Sequence, residues 1–225
     1  MSARQRDPRA GAGAVLGVSL GLFGSAVALA LTELGVEVLA ISDDHDRVTK
    51  YADDLTHVVE MDSTDREALE QIGVGTVSKA VVGLSDIEKS IMTVLALSEA
   101  GVPEIWARAA TLEHGSILER IGAHHVIYSE RSTGRRVAHA VSGMMTDYFE
   151  FEHGFAMART TAPRFMWGKT IGEAKVRSLH QVTVAGARHP TGEFSFTDYD
   201  TVISGGDEVI VSGTSDKVEA FCRLT

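Results

Sequence analysis

The sequence predicts an α/β fold with a doubly wound parallel sheet, followed by a smaller α+β domain. Three observations support this prediction. Strand-length apolar runs alternate with segments of helical spacing, a glycine turn joins the first run to a helix, and shorter, turn-rich segments take over after residue 151. Regular alternation of strands and helices is typical of a parallel sheet with helices on both faces.

The first unit of this pattern, residues 15–44, contains the glycine turn. It begins Val-Leu-Gly-Val-Ser-Leu-Gly-Leu-Phe-Gly, continues as an apolar helix and ends Val-Glu-Val-Leu-Ala-Ile-Ser-Asp-Asp. In a Rossmann-like turn, backbone N–H groups and the helix N-terminus face a phosphate, and the last glycine permits close packing of helix and strand. The turn therefore predicts a nucleotide site, although packing alone also explains it.

The turn departs from the full fingerprint, Gly-x-Gly-x-x-Gly with an acid about 20 positions later. Ser19 stands at the first glycine, and Gly21 and Gly24 follow. Ser42 stands at the end of the second strand, where the acid is expected, and Asp43 comes next.

Five further strands are predicted, and their carboxyl ends locate the candidate site. The strands are 36–41, 57–61, 80–84, 104–109 and 125–128. Hydroxyl or acidic residues at 62–64 and 85–86 are expected to cap the following helices. Because ligands of such sheets bind beyond the carboxyl ends of the strands, the candidate positions are Ser19 to Gly24, Ser42 to Asp44, Asp62 to Thr64, Ser85 to Glu88, Arg108 and Glu130.

Composition restricts the classes of function. The chain has 225 residues, 44% of them apolar, which is enough for a large core, and a formal net charge of −10. That charge opposes binding to nucleic acid, whose affinity depends on Lys and Arg. A single cysteine, Cys222, excludes an intrachain disulfide and is expected to be a small apolar residue of a terminal helix.

The N-terminal segment allows a second interpretation. Arg4, Arg6 and Arg9 precede an uncharged run, 11–32, that is similar to a secretory signal or a membrane span. Four glycines between Gly13 and Gly24 argue against it, and cleavage there would remove a strand. Residues 1–13 are expected to form a flexible tail.

The C-terminal part is predicted as a separate small domain. A helical segment over 131–149 carries Val137, Val141, Met144, Met145 and Phe149 at largely helical spacing. The apolar residues near the domain junction, Met144, Met145, Phe149 and Phe151, are expected either to belong to a core or to form an apolar face exchanged between protomers. Short strands are predicted at 154–160, 181–187, 192–196 and 208–212. Alternating residues of these strands, Val182, Val184, Val209 and Val211, are expected to form the core.

Common catalytic and metal-binding motifs are absent from the sequence. It contains no Gly-x-Ser-x-Gly turn and no Gly-x-x-x-x-Gly-Lys-Ser/Thr loop, which removes the usual hydrolase and P-loop interpretations. Its histidines lack acids or cysteines at metal-ligand spacing.

The order of several motifs resembles a known family. The first half is similar to the RCK N-terminal domain of the Trk/Ktr-type regulatory subunits of potassium uptake, and the second to their C-terminal RCK domain. The segments that carry this resemblance are Val15 to Gly24, Leu55-Thr-His-Val58, Met61-Asp-Ser-Thr64, Ser85-Asp-Ile-Glu88, Ile105-Trp-Ala-Arg-Ala109, Ile117 to Ala123, Val126 to Glu130, Gly168-Lys-Thr-Ile-Gly-Glu173 and Ile203 to Gly213.

The resemblance implies domains and a function. Residues 14–130 correspond to the nucleotide-binding domain, 131–150 to a crossover helix for dimerisation and 151–225 to the C-terminal domain. The implied protein is no enzyme: it is a cytoplasmic gating subunit that forms dimers and then an octameric ring beneath a membrane-embedded potassium channel or transporter. The implied ligands are ATP, ADP or NAD(H), with a divalent cation, Mg²⁺ or Ca²⁺.

The resemblance also implies roles for individual residues. Gly21 and Gly24, with Ser19, Leu22 and Phe23, would form the phosphate turn, and Ser42 or Asp43 the ribose contact. Asp62 and Ser63 would lie beside the adenine, Ser85 at the end of the fourth strand and Arg108 against a phosphate, while Glu130 would help hold the cation. Arg108 pairing with an acid on a solvated face and Glu130 capping a helix are the structural alternatives.

Departures from the family pattern predict weakened nucleotide binding. The typical turn reads Gly-x-Gly-Arg-Phe-Gly, whereas this chain has Ser19 and Leu22 at the first glycine and the arginine. A charged hydrogen bond contributes roughly 1.5–3 kcal/mol, so its loss corresponds to about 10- to 150-fold in affinity. The competing functions are an NAD(P)-dependent oxidoreductase and a free-standing sensor of nucleotides or cyclic dinucleotides.

Overall fold

The structure, a computed structural model, describes residues 13–143 and 145–224. The chain divides into two compact units, the first ending at Glu130 and the second beginning at Arg131. The segment 131–150 therefore belongs to the second unit.

The first unit contains the predicted parallel sheet. Its six strands are β1 (Val15–Val18), β2 (Val38–Ser42), β3 (His57–Glu60), β4 (Lys79–Val82), β5 (Ile105–Arg108) and β6 (His125–Ile127). All pairs are parallel and the strand order is β3-β2-β1-β4-β5-β6. This is the strand order of the classical dinucleotide-binding fold, so the predicted fold class is confirmed.

Helices alternate with these strands. They are α1 (Leu22–Glu33), α2 (His45–Tyr51), α3 (Arg66–Gln71), α4 (Ile87–Glu99) and α5 (Leu112–Arg120), with a 3₁₀ turn at Val74–Thr76; α6 (Ser129–Val141) crosses the boundary between the units. The prediction of a hydroxyl cap at 62–64 is wrong, because the Asp65 carboxylate accepts the N–H groups of Glu67 and Ala68. Asp86 caps α4 as expected.

The inner strands of the first sheet carry most of its buried residues, whereas the edge strands β3 and β6 are half-buried or exposed. Leu16, Val18, Ile41 and Ile105 are fully enclosed and join helix residues such as Leu97 in one core. Continuous apolar runs are expected where helices cover both sides of a parallel sheet. Within the described residues no helix combines the length and the apolar character needed to cross a membrane.

The second unit is built on an antiparallel sheet. Its strands are β7 (Asp147–Glu150), β8 (Phe155–Thr161), β10 (Thr183–Arg188), β11 (Ser195–Phe196) and β13 (Glu208–Thr214), in the order β11-β10-β13-β8-β7; β9 (Lys169–Thr170) pairs with β12 (Val202–Ile203). The helices are α7 (Ile171–Ala174), α8 (Val176–His180) and α9 (Ser215–Cys222), with 3₁₀ turns at Glu152–Gly154 and Arg164–Met166.

The core predicted for this unit is confirmed. Val182, Val184, Val209 and Val211 are buried together, and α9 packs against them with Val218 and Phe221. Cys222 is the last residue of α9 and is buried, as expected.

The predicted helix over 131–149 is wrong beyond Val141. The chain turns at Gly143, whose φ of 73° suits a residue without a side chain, and Asp147–Glu150 forms a strand antiparallel to β8. Met145 is 3% exposed and belongs to the core of its own unit, so it is not available to another protomer. Val137, Val141 and Phe149 are exposed, and Met144 lies outside the described residues.

Candidate functional site

The candidate site lies at the carboxyl edge of the first sheet. The strand order reverses between β1 and β4, and ligands of open α/β sheets bind where the order reverses. Because parallel strands end at the same edge, all the predicted site residues lie on it. In the order of the strands across the sheet they are Asp62 and Ser63 after β3, Ser42 and Asp43 at the end of β2, Ser19, Gly21, Leu22, Phe23 and Gly24 after β1, Ser85 after β4, Arg108 at the end of β5 and Glu130 after β6.

The turn after β1 is tightly packed against β4. A Cβ on Gly24 would lie 1.9 Å from the Ser19 carbonyl oxygen, and a Cβ on Gly83 would lie 3.1 Å from the Gly24 Cα. The first contact is closer than a Cβ tolerates, so packing requires glycine at position 24. The second contact is tight, and a Cβ on Gly83 would force its neighbours to move by a few tenths of an ångström. Phe23 is half-buried beside Gly83.

Ser19 adopts the backbone conformation that a glycine would hold at low cost. Its φ is 78°, a left-handed value that costs most non-glycine residues roughly 1–2 kcal/mol. Its hydroxyl accepts the N–H of Gly21 at 3.2 Å. The serine thus preserves the turn. Its hydroxyl also accepts a hydrogen bond from one of the backbone N–H groups of the loop that is predicted to face a phosphate.

The helix N-terminus that follows carries no positive side chain of its own. Gly21 is the N-cap of α1, and Leu22, the first helical residue, is 97% exposed. Because the Leu22 side chain is exposed, it does not fill the space beside the turn, and because it is apolar, it supplies no charge there.

The end of β2 carries a neutral residue and a paired acid. Ser42 is buried, and its hydroxyl accepts the N–H of Asp44 at 3.2 Å. Asp43 accepts from the Lys89 ammonium at 2.5 Å, and this contact raises the pKa of Lys89 above its ordinary value. A ribose hydroxyl reaching Asp43 would have to compete with Lys89.

The residues after β3 are engaged in local hydrogen bonds. The Asp62 carboxylate accepts both the N–H and the hydroxyl of Thr64, which together lower its pKa. Ser63 is buried and its hydroxyl lies 2.8 Å from that of Thr93 on α4. Asp62 faces the edge of the sheet more openly than Ser63, which is turned into the core.

Arg108 and Glu130 form an ion pair at the other end of the edge. The Arg108 guanidinium donates to Glu130, to the Ser129 hydroxyl at 3.2 Å and, at 3.4 Å, to the Leu84 carbonyl and the Ser85 hydroxyl. Arg108 and then Ser129 hold the pKa of Glu130 down to about 2. The Arg108 side chain is 15% exposed and that of Glu130 is 61% exposed, so the pair joins a largely buried arginine to an acid that is open to solvent.

The structure brings one residue to the turn that sequence reasoning missed. The Arg47 Nη1 lies 3.3 Å from the point that a Cβ on Gly21 would occupy. The signal available in the sequence was an arginine five positions after Ser42, near the place where Rossmann folds use arginine against a phosphate.

A metal site made of protein side chains is not found in the described part of the chain. Within residues 13–143 and 145–224, no group of three or more His, Cys, Asp or Glu residues is placed to hold a metal ion. The role of Glu130 in holding a cation stays a prediction.

The fold and the edge described above are those of a Rossmann-type domain with a candidate ligand site at the carboxyl edge of its sheet, followed by a small α+β domain. The chain matches the family models of the TrkA-N domain over residues 14–129 and the TrkA-C domain over residues 163–225. It therefore belongs to the RCK-type family of Trk and Ktr potassium-uptake proteins, and the resemblance stated above is confirmed.

Two relatives and one solved structure illustrate the similarity. Ktr system potassium uptake protein C of Bacillus subtilis is 32% identical over 206 residues, 91% of this chain and 93% of the relative. Ktr system potassium uptake protein A of the same organism is 27% identical over the same shares. The GsuK channel bound to NAD superposes with a TM-score of 0.65 at 19% identity over 95% of this chain, which spans 39% of that longer chain.

Proposed function

We propose that the protein is the ligand-sensing regulatory subunit of a potassium channel or transporter, controlled by a nucleotide bound at the carboxyl edge of its first sheet. The observation that carries the proposal is the tight turn at Gly21 and Gly24, at the point of strand reversal, in a chain of the TrkA-N family. The names of its relatives, potassium uptake proteins of Ktr systems, support the physiological role.

The site suits the diphosphate part of an adenine nucleotide or NAD(H). The α1 N-terminus begins at Gly21, which has no side chain, and the next residue, Leu22, is exposed. This end of a helix attracts anions. Ser42 or Asp43 meets the ribose, and Asp62 and Ser63 lie on the adenine side. Arg108 approaches a phosphate while Glu130, once released from Arg108, helps to hold Mg²⁺ or Ca²⁺.

The proposed role is regulation without catalysis. A ligand shifts a conformational equilibrium only as far as its affinities for the two states differ. We propose that the subunit assembles as a homodimer and then as an octameric ring at the cytoplasmic face of a membrane-embedded partner. The nucleotide cleft then changes the shape of the ring by binding one state more tightly.

Calorimetric titration with ATP, ADP, NADH and AMP, with and without Mg²⁺, tests the nucleotide part of the proposal. We expect binding of at least one of these nucleotides with a dissociation constant above the micromolar level. Absence of heat at millimolar concentrations would refute a nucleotide-controlled subunit, whereas a sub-micromolar constant for ATP would refute only the predicted weakening. Leu22→Arg should strengthen binding, because the side chain at this position is open to the turn.

Light scattering tests the assembly part. The protein should have at least the mass of a dimer at micromolar concentration, and Val141→Glu should lower that mass, because Val141 is an exposed apolar residue of α6 and a carboxylate is costly to bury. Met145 is unsuitable as a probe, since its substitution would disrupt the core of its own unit. A monomeric mass for the unaltered protein would contradict the proposal.

A further inference from the structure

We propose that Arg47 is a second phosphate-binding cation of this site, beside Arg108, and that it reaches the diphosphate of the ligand at Gly21. The inference rests on the proposed nucleotide function and adds to it a residue on α2, outside the glycine turn. It goes beyond the motif itself, whose first helical residue is the uncharged Leu22.

The position of Arg47 is set by Asp44 at the start of α2. One Asp44 oxygen accepts the backbone N–H of Arg47 at 3.2 Å, and the other pairs with the Arg47 Nε at 2.9 Å. Asp44 is the N-cap of this helix, so one carboxylate orients both the backbone and the side chain of Arg47.

The same helix is tied to the first turn of α1. A hydrogen bond between the side chains of Tyr51 and Ser25 lowers the pKa of the tyrosine. Ser25 is buried in α1, one turn from the N-cap at Gly21. This contact joins α2 to the first turn of α1, and the Asp44 pair, which lies within α2, orients the Arg47 side chain.

The place that Arg47 approaches is where a diphosphate comes close to the backbone. In a dinucleotide-binding turn, the second glycine lacks a side chain so that the pyrophosphate can approach. Gly21 is that glycine here, and the Arg47 Nη1 lies 3.3 Å from its missing Cβ. A phosphate that approaches the Gly21 backbone closely would therefore also approach the Arg47 guanidinium.

Arg47 retains the capacity for a phosphate contact. Its ion pair with Asp44 uses Nε, whereas a guanidinium carries five N–H donors in a planar fork. The side chain is 48% exposed, so it is able to turn toward a ligand without leaving a core. Arg47 thus supplies charge that Leu22 does not.

An arginine after the second strand has one other use in Rossmann folds, which is to accommodate the 2′-phosphate of NADP. The position of Nη1 against Gly21, rather than against the end of β2 at Ser42, favours the diphosphate. Comparison of ADP with AMP and of NADP⁺ with NAD⁺ separates these two sources of phosphate.

The test is calorimetric titration of the full-length protein and of Arg47→Ala with ADP, AMP, NAD⁺ and NADP⁺. We expect Arg47→Ala to weaken ADP and NAD⁺ binding about 10- to 150-fold, the range for loss of one charged hydrogen bond. AMP binding should change by less than threefold, and the ratio of NADP⁺ to NAD⁺ affinity should stay constant. Arg47→Lys keeps the charge without the fork and should give an intermediate loss.

Arg120→Ala is the matched control. It removes the same charge from an exposed position at the end of α5, which runs back from the carboxyl edge, and it should leave all four affinities unchanged. Circular dichroism should give the same spectrum for each variant.

Three results would overturn the assignment. If Arg47→Ala binds ADP as tightly as the unaltered protein, Arg47 is not a phosphate ligand although the nucleotide function stands. If only NADP⁺ is weakened, Arg47 serves a 2′-phosphate. If the unaltered protein binds none of the four ligands, the nucleotide function fails as well.

Discussion

The two units of the chain bury their sheets in different ways. In the first, β1 and β2 are enclosed along most of their length, because helices cover both faces. In the second, β8 and β13 alternate buried and less buried residues, because α9 covers one face only. The first sheet therefore offers a ligand only its edge, whereas the second leaves a whole face, including Phe149 and Met157, for other contacts.

The strongest test of this comparison substitutes two phenylalanines of the second unit. Phe221 on α9 is 1% exposed and Phe149 on β7 is 58% exposed. Phe221→Ala should lower the free energy of unfolding by about 3–5 kcal/mol, and Phe149→Ala by no more than about 0.5 kcal/mol.

Denaturant unfolding followed by Trp167 fluorescence measures both changes, with Trp106→Phe as the background so that the signal comes from the second unit alone. Equal losses for the two variants would show that the Phe149 face is covered in the protein as it exists in solution.

A smaller loss of stability is expected when either of two glycines of the first sheet and its turn is replaced by alanine. Gly24→Ala places a Cβ 1.9 Å from the Ser19 carbonyl oxygen, whereas Gly17→Ala places one in ordinary contact, 3.8 Å from Val38. We expect Gly24→Ala to cost about 1–3 kcal/mol, the usual range for overpacking, and Gly17→Ala to cost less. Unfolding followed by Trp106 fluorescence reports this unit, and a larger loss at Gly17 would contradict the packing described for the turn.

The smallest effect concerns the protonation of Glu130 at the same edge. Its pKa is held to about 2 by Arg108 and Ser129, so the stabilisation from the pair is complete above the ordinary carboxyl pKa of 4.5 and is lost as the pH falls through about 2. Arg108→Gln should raise the pKa of Glu130 toward 4.5, while Arg66→Gln, on α3, should leave it unchanged. Carbon-13 NMR titration of the Glu130 carboxyl measures the shift, and an unaltered pKa in Arg108→Gln would refute the pair.

The fold of the first unit could be predicted from the sequence because each strand there is built around a short apolar run, even where a polar residue such as Glu60 or Lys79 stands at one end. The residues at 15–18 and 105–108 lie within predicted strands and are strands in the structure. The helix predicted over 131–149 was too long because the helical spacing of Val137, Val141 and Met145 continues past Gly143, where the chain turns. A single glycine was too weak a signal against that spacing, and the pairing of 147–150 with β8 depends on residues distant in sequence.

From the sequence, the candidate site could be predicted only as a set of positions in the chain, without the contacts between their side chains. Strand ends identify the edge, since parallel strands end together, but they do not reveal which side chains pair across it. The Lys89 contact with Asp43 spans 46 residues and the Arg108 contact with Glu130 spans 22. Arg47 was missed for the same reason, because its distance from Gly21 is set by the packing of α2 on α1.

The hydroxyl of Ser19 has a thermodynamic consequence for the cleft as a whole. Its bond to the Gly21 N–H, like the Asp43 bond to Lys89 and the Arg108 bond to Glu130, is an internal contact that a ligand must exchange for one of its own. Since one hydrogen bond is broken for each one formed, the enthalpy gained at these groups is small. For the proposed nucleotide site, we expect selectivity among nucleotides to depend on which ligand breaks the fewest of these internal contacts.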